Sequence, residues 1–222
     1  MPGERTRKWA SIIAGVFGAT ALAGAGPARA AEPLRLDFVT HASFFSRETK
    51  QANPIDPQVF VRDPAAPAAM GPQGIRHVKG VRPLPLSDAP QTKLYTATGK
   101  PLGFTAGEWL GATGRVTITP DQKGGGEIVA TFEGLRPGGV YSLFENDFAT
   151  KPISFSPLDG RGTRNSFKAR GDGSASVKVH APKMPTGVNA VLLVYHSDGK
   201  THGRSRGNPG VTAHNQLIAK VP

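Results

Sequence analysis

Residues Ala190–Gly207 read AVLLVYHSDGKTHGRSRG. Six apolar positions lead without a break into His196, Asp198 and His202, with Arg204 and Arg206 behind them. An imidazole at a strand end, followed by a polar, glycine-punctuated loop, suits two chemistries. The first is metal ligation. His196 ends one strand, His202 lies in the loop and His214 opens the final strand, so pairing of the last two strands would gather three imidazoles at one rim. Such a set with an open position fits copper or zinc. Glu145 and Asp147, leaving an earlier strand, would join as ligands or orient a ligand's ring. The second chemistry is proton transfer to or from a small anionic substrate. Here His196 is the general base, Asp198 or Asp147 its carboxylate partner, Tyr141 or Tyr195 an oxyanion donor, and Arg161 or Arg206 the anchor for the anion. No spacing matches a compact motif such as HExxH, and His202 and His214 also read as ordinary solvated loop and strand-end residues. No nucleophile stands out. Ser142, Ser154 and Ser197 lack the glycine setting of a nucleophile elbow, and the chain has no cysteine.

The elements that must position these residues are short and β-rich from Lys93 onward. The runs are Lys93–Thr98, Gly114–Pro120, Glu127–Leu135, Gly139–Asn146, Ser174–Ala181, Asn189–His196 and His214–Val221. Several alternate with period two: Val116 and Ile118 against Arg115 and Thr117, and Val177 and Val179 against Ser176, Lys178 and His180. Alternation sets one face in a core and the other in water. Gly- and Asp-rich connectors such as Asp121–Gly126 and Arg170–Gly173 supply tight turns. Seven or eight such strands predict an all-β, antiparallel sandwich or barrel over residues 91–222.

Residues 31–90 hold too many prolines for a helix interior or central strand and are expected to form a proline-rich arm. One short strand is expected at Leu34–Thr40, and Phe44 and Phe45 are expected to pin the arm to the body. Residues 1–30 read as a secretory signal peptide: Arg5, Arg7 and Lys8, then an apolar run, then Ala28-Arg29-Ala30. This predicts a secreted or periplasmic protein with no transmembrane segment in the mature chain. Cleavage removes four of the 27 basic and one of the 16 acidic residues, leaving 23 and 15, a net charge of +8. The charge is dispersed, the densest group being Arg161, Arg164, Lys168 and Arg170. No aromatic-interleaved basic motif accompanies it, so no nucleic-acid partner is expected. A module whose basic face meets an anionic envelope polymer remains a third reading. Asp159, Arg161, Arg164 and Asn165 form a candidate ligand rim, or a turn and a strand cap. The absence of cysteine excludes disulfides and a lipid-anchored cysteine.

The order of four pieces resembles the copper/zinc superoxide dismutases. Gly134–Gly139 (GLRPGG) enters a strand as that family's Gly-Leu-x-x-Gly segment does. Asn165–Val179 resembles its later Asp-Gly turn and alternating strand, Leu192–Gly199 the strand delivering its last copper histidine, and Arg204–Val221 its final loop and strand. The resemblance spans about Lys93–Val221 and implies a Greek-key sandwich. It carries over only His196 as a copper ligand. Leu143 and Glu145 stand where the His-x-His pair would be, Ser156–Asn165 holds no zinc-loop histidines, and the disulfide is missing. The expectation is therefore an exported copper- or zinc-binding sandwich without dismutase activity.

Overall fold

The computed structural model describes residues 32–222; the signal peptide expected over residues 1–30 lies outside them. In chain order the elements are β1 (Leu34–Asp37), β2 (Val39–Thr40), α1 (His41–Glu48), β3 (Ile55–Arg62), β4 (Ala69–Met70), β5 (Arg76–His77) and β6 (Val81–Pro85). Then follow β7 (Lys93–Tyr95), β8 (Pro101–Thr105), α2 (Ala106–Leu110), β9 (Thr113–Pro120), β10 (Gly126–Glu133), β11 (Val140–Asp147) and β12 (Ser154–Pro157). The last four are β13 (Ser166–Lys168), β14 (Ala175–Ala181), β15 (Asn189–His196) and β16 (Ala213–Lys220). The described chain is mostly β.

Three antiparallel sheets make up most of it. The first runs β1-β9-β10-β14 and the second β12-β11-β15-β16-β2, with β13 also on β11. The alternating strands behave as their pattern predicts. Val116, Ile118, Ile128, Ala130 and Phe132 of the first sheet meet Tyr141, Leu143, Val191, Leu193 and Leu217 of the second in one core. No helix is long and apolar enough to cross a membrane among the described residues.

Strand β15 is buried at every position because both faces of its sheet are covered. Val191, Leu193 and Tyr195 face the main core. Ala190, Leu192 and Val194 face a second cluster with Phe144, Ala213, Ile218 and Phe44 of α1. The uninterrupted apolar run before His196 follows from that double burial.

The proline-rich stretch is where the structure departs from expectation. Residues 32–90 are not an irregular arm: the expected strand at Leu34–Thr40 is present as β1 and β2, and the stretch also supplies α1 and two of the four strands of a third sheet, β6-β3-β7-β8. The prolines sit where a sheet tolerates them. Pro83 and Pro85 lie on the edge strand β6, Pro101 opens the other edge strand β8, and Pro57 falls where the β3–β6 register breaks between Asp56 and Phe60. Helix α1 starts where Thr40 Oγ1 accepts from the Ser43 N–H at 3.2 Å, a hydroxyl cap. Phe44 is its buried anchor, while Phe45 is only partly covered. The third sheet is tied to the core through Trp109, whose Nε1–H donates to Asp56 Oδ2 at 2.9 Å. Burial pushes the Asp56 carboxyl up to about 6, although the Gln58 and Val59 amides and Trp109 donate to it.

Candidate functional site

The end of β15 and the loop after it bring two of the three histidines together. His196 is 1% exposed, and its ring centroid lies 5.2 Å from that of His202. Its Nε2 is 2.7 Å from Ser142 Oγ, Ser142 Oγ is 2.8 Å from Ser166 Oγ, and the Ser166 hydroxyl donates to Asn165 Oδ1 at 3.4 Å. Each hydroxyl has one proton, so the chain has one consistent direction: His196 Nε2–H to Ser142, Ser142 to Ser166, Ser166 to Asn165. That direction fixes the tautomer. It leaves His196 Nδ1 as a bare lone pair, buried and without a protein partner.

His202 is held in the same sense. Its Nε2 lies 3.1 Å from Asp198 Oδ2 and 3.4 Å from Oδ1. Carboxylate oxygens only accept, so Nε2 carries a proton, and in the neutral ring the lone pair is on Nδ1. Asp198 thus orients His202 and not His196. The loop approaches closely enough to need glycine at one point: a Cβ on Gly207, where φ is +88°, would lie 3.2 Å from His202 Nε2 and 2.9 Å from Thr212 Oγ1.

His214 does not join the pair. It is opposite Tyr195 across the sheet, and His196 is opposite Ala213. The β15–β16 register shifts between Leu193, paired with Leu217, and Val194, paired with Asn215, so Gln216 is an extra residue in β16. Without this bulge His214 would stand directly across from His196; with it, the ring turns to the core side beside Tyr195 and Trp109. There His214 Nδ1–H donates to the Gln58 carbonyl at 2.9 Å, and Nε2 meets Ser197 Oγ at 3.1 Å. The expected three-histidine rim is therefore absent.

Glu145 and Asp147 are also elsewhere. His196 pairs with Val140 at the start of β11, whereas Glu145 pairs with Val191 and Asp147 with Asn189. Five residues of strand put Glu145 about 17 Å from the His196 end. There Glu145 Oε1 accepts from Asn189 Nδ2 at 3.0 Å, and burial raises its pKa. Among the described residues no three or more histidine, aspartate or glutamate side chains are grouped to hold a metal ion.

The proton-transfer set fares no better. Burial first, then His202, lowers His196 to about 4, which makes it a weak base at neutral pH. Tyr141 is fully buried, and its hydroxyl accepts from the Arg136 N–H at 2.9 Å. Tyr195 points into the core against Phe104 and Trp109. Ser142 is 2% exposed, closed to any substrate. Arg206 lies against the Phe155 ring and donates to Asn215 Oδ1 at 3.3 Å. In the candidate rim, Asn165 is buried and donates to the Leu143 carbonyl at 2.9 Å. Asp159 accepts from the amides of Arg161, Gly162, Thr163 and Arg164. These donors, outweighing partial burial, hold Asp159 down at about 2.

Ser142, which lacks a nucleophile setting, and Ser166 serve instead as hydrogen-bond partners behind His196, a role that their sequence positions do not announce. Ser142 is a polar residue in the apolar first half of β11, and Ser166 opens the short strand β13; neither position carries a sequence signal of its partner. Comparison with known proteins found no matching family model, no matching curated sequence and no matching solved structure.

Proposed function

We propose that this chain is an exported, non-catalytic metal-binding protein of sandwich build, and that His196 and His202 are its ligands. The observation that carries the reading is the matched orientation of the two rings: each gives its Nε2–H to an oxygen, which in the neutral ring leaves the lone pair on Nδ1, with the ring centroids 5.2 Å apart. Proteins commonly orient metal-ligating histidines by such an outer bond from the second ring nitrogen. Copper is the first candidate. Two imidazoles satisfy Cu(I), a d¹⁰ ion content with two nitrogens, whereas zinc asks for three or four protein ligands and ranks second. His196, kept neutral by burial, has its lone pair available at neutral pH without a proton to displace. The piece order shared with copper/zinc dismutases supports a Greek-key arrangement, and the leader over residues 1–30 supports a periplasmic or secreted location. Dismutation is not part of the proposal, because only one of that family's ligand positions carries a histidine.

The test is an anaerobic titration of untagged protein with Cu(I) against a chromophoric chelator. One equivalent should bind in the wild type and in His214→Gln, with at least a hundredfold loss of affinity in His196→Ala and His202→Ala. Equal binding by all four proteins, or none by the wild type, would remove the proposal.

A further inference from the structure

A second site lies in the turn region between β8, α2 and the Gly134–Gly139 loop. A cavity of about 340 Å³ opens there, lined by Phe104, Leu135, Pro137 and four glycines, with one acid, Glu108, and one base, Arg136. This volume is within the range of small-molecule sites.

Both charges are fixed on one side and open on the other. Arg136 Nη1 donates to the Leu102 carbonyl and, at 3.4 Å, to the Tyr195 hydroxyl, and the guanidinium lies 5.6 Å from the Phe104 ring centre. Glycine at position 103 gives it room: an added Cβ would overlap the guanidinium in this position, and φ is +72°. The Nε and Nη2 donors have no protein acceptor among the described residues. Glu108 is fixed in the same way. Its Oε2 closes the cap of α2, accepting from Thr105 N at 2.7 Å and from Thr105 Oγ1 at 3.1 Å, while Oε1 has no partner. The two charges line one cavity, yet they form no ion pair with each other.

We propose that this cavity binds a small zwitterion of the α-amino-acid class. The ligand carboxylate takes the open edge of Arg136, its ammonium takes Glu108 Oε1, and an apolar side chain lies on Phe104, Leu135 and Pro137. A pinned guanidinium with a free fork is the arrangement that selects carboxylates, because less rotamer entropy is lost on binding. A dianion such as phosphate is disfavoured by the neighbouring Glu108, and a plain cation by Arg136. An apolar neutral molecule would cover the open donors of the part-buried Arg136 without pairing them. The glycines keep backbone at the wall, leaving room for a ligand of this size. Neither histidine lines this cavity, although Gly103, Arg136 and Pro137 also border a neighbouring cavity lined by His196 and Asp198; the proposal does not rest on the metal reading.

The experiment is a thermal-shift and calorimetric titration with L-leucine and L-phenylalanine, each beside its amide and its N-acetyl form. The free amino acids should raise the melting temperature saturably, and both blocked forms should bind at least tenfold more weakly. Glu108→Gln keeps a cap acceptor but removes the charge, so it should abolish the preference for leucine over N-acetylleucine. Arg136→Lys should weaken both carboxylates at least tenfold. If that variant does not fold, Glu108→Gln and the blocked ligands still decide. No shift with either amino acid at millimolar concentration, or equal binding of free and blocked forms, would overturn the proposal.

Discussion

At the residue scale, the site depends on which nitrogen of His196 keeps its proton. Ser142 accepts that proton's hydrogen bond and so leaves Nδ1 bare. Ser142→Ala should release the tautomer and weaken Cu(I) binding roughly tenfold to a hundredfold, the usual cost of losing an outer partner. Unchanged affinity in the same chelator competition would show that the hydroxyl has no orienting role. Gly207→Ala tests the other ring. A methyl group 3.2 Å from His202 Nε2, on a residue with φ of +88°, should displace the imidazole, lower copper affinity and cost about 1–2 kcal/mol of stability. A melting temperature and a titration both unchanged would contradict that account. The sequence shows His196 at a strand end and His202 in its loop. It does not show Ser142 as a partner, because a lone serine in an apolar strand carries no label of what it faces.

At the element scale, the double burial of β15 explains why its end is dry enough to hold an imidazole neutral. Phe44 of α1 helps close the outer face. Phe44→Ala should cost about 3–5 kcal/mol by transfer and cavity terms, read as a lower urea midpoint at unchanged slope. A cost under 1 kcal/mol would mean that α1 does not cover that face. Alternation made the strands from Gly114 onward legible, since their polar positions meet water. It also marked Leu34–Thr40, which forms β1 and β2, but it failed for residues 41–90, where proline density hides strands that use edges and a register break. It also failed for His214. A one-residue bulge at Gln216 exchanges the two faces of β16 at that end, and no periodicity announces a bulge.

For the molecule as a whole, burial of neutral imidazoles sets the acid response. Burial and Arg206 lower His41 to about 3, and burial lowers His214 to about 4. Unfolding returns both to about 6.5. The unfolded chain therefore binds their protons first as pH falls, and the stability present above pH 6.5 is lost progressively towards pH 4 and below. Asp56 acts in the opposite direction. Raised to about 6, it contributes stability at low pH that is lost as pH rises from its unfolded value near 3.8 through 6. His196, lowered to about 4 by burial, adds a third such histidine, and three histidines against one carboxyl leave a net loss of about 2.7 kcal/mol per pH unit on acidification between pH 6 and 4.5. Urea midpoints at those two pH values measure it. A midpoint that holds constant or rises on acidification would contradict the burial of neutral His41 and His214.

The most direct measurement of the central claim is X-ray absorption at the copper edge of protein loaded with one equivalent of Cu(I). Two imidazole nitrogens should be seen in the wild type and in His214→Gln, with one of them lost in His202→Ala. A first shell containing methionine sulfur, or a third imidazole that disappears in His214→Gln, would show that copper is not held by the His196–His202 pair.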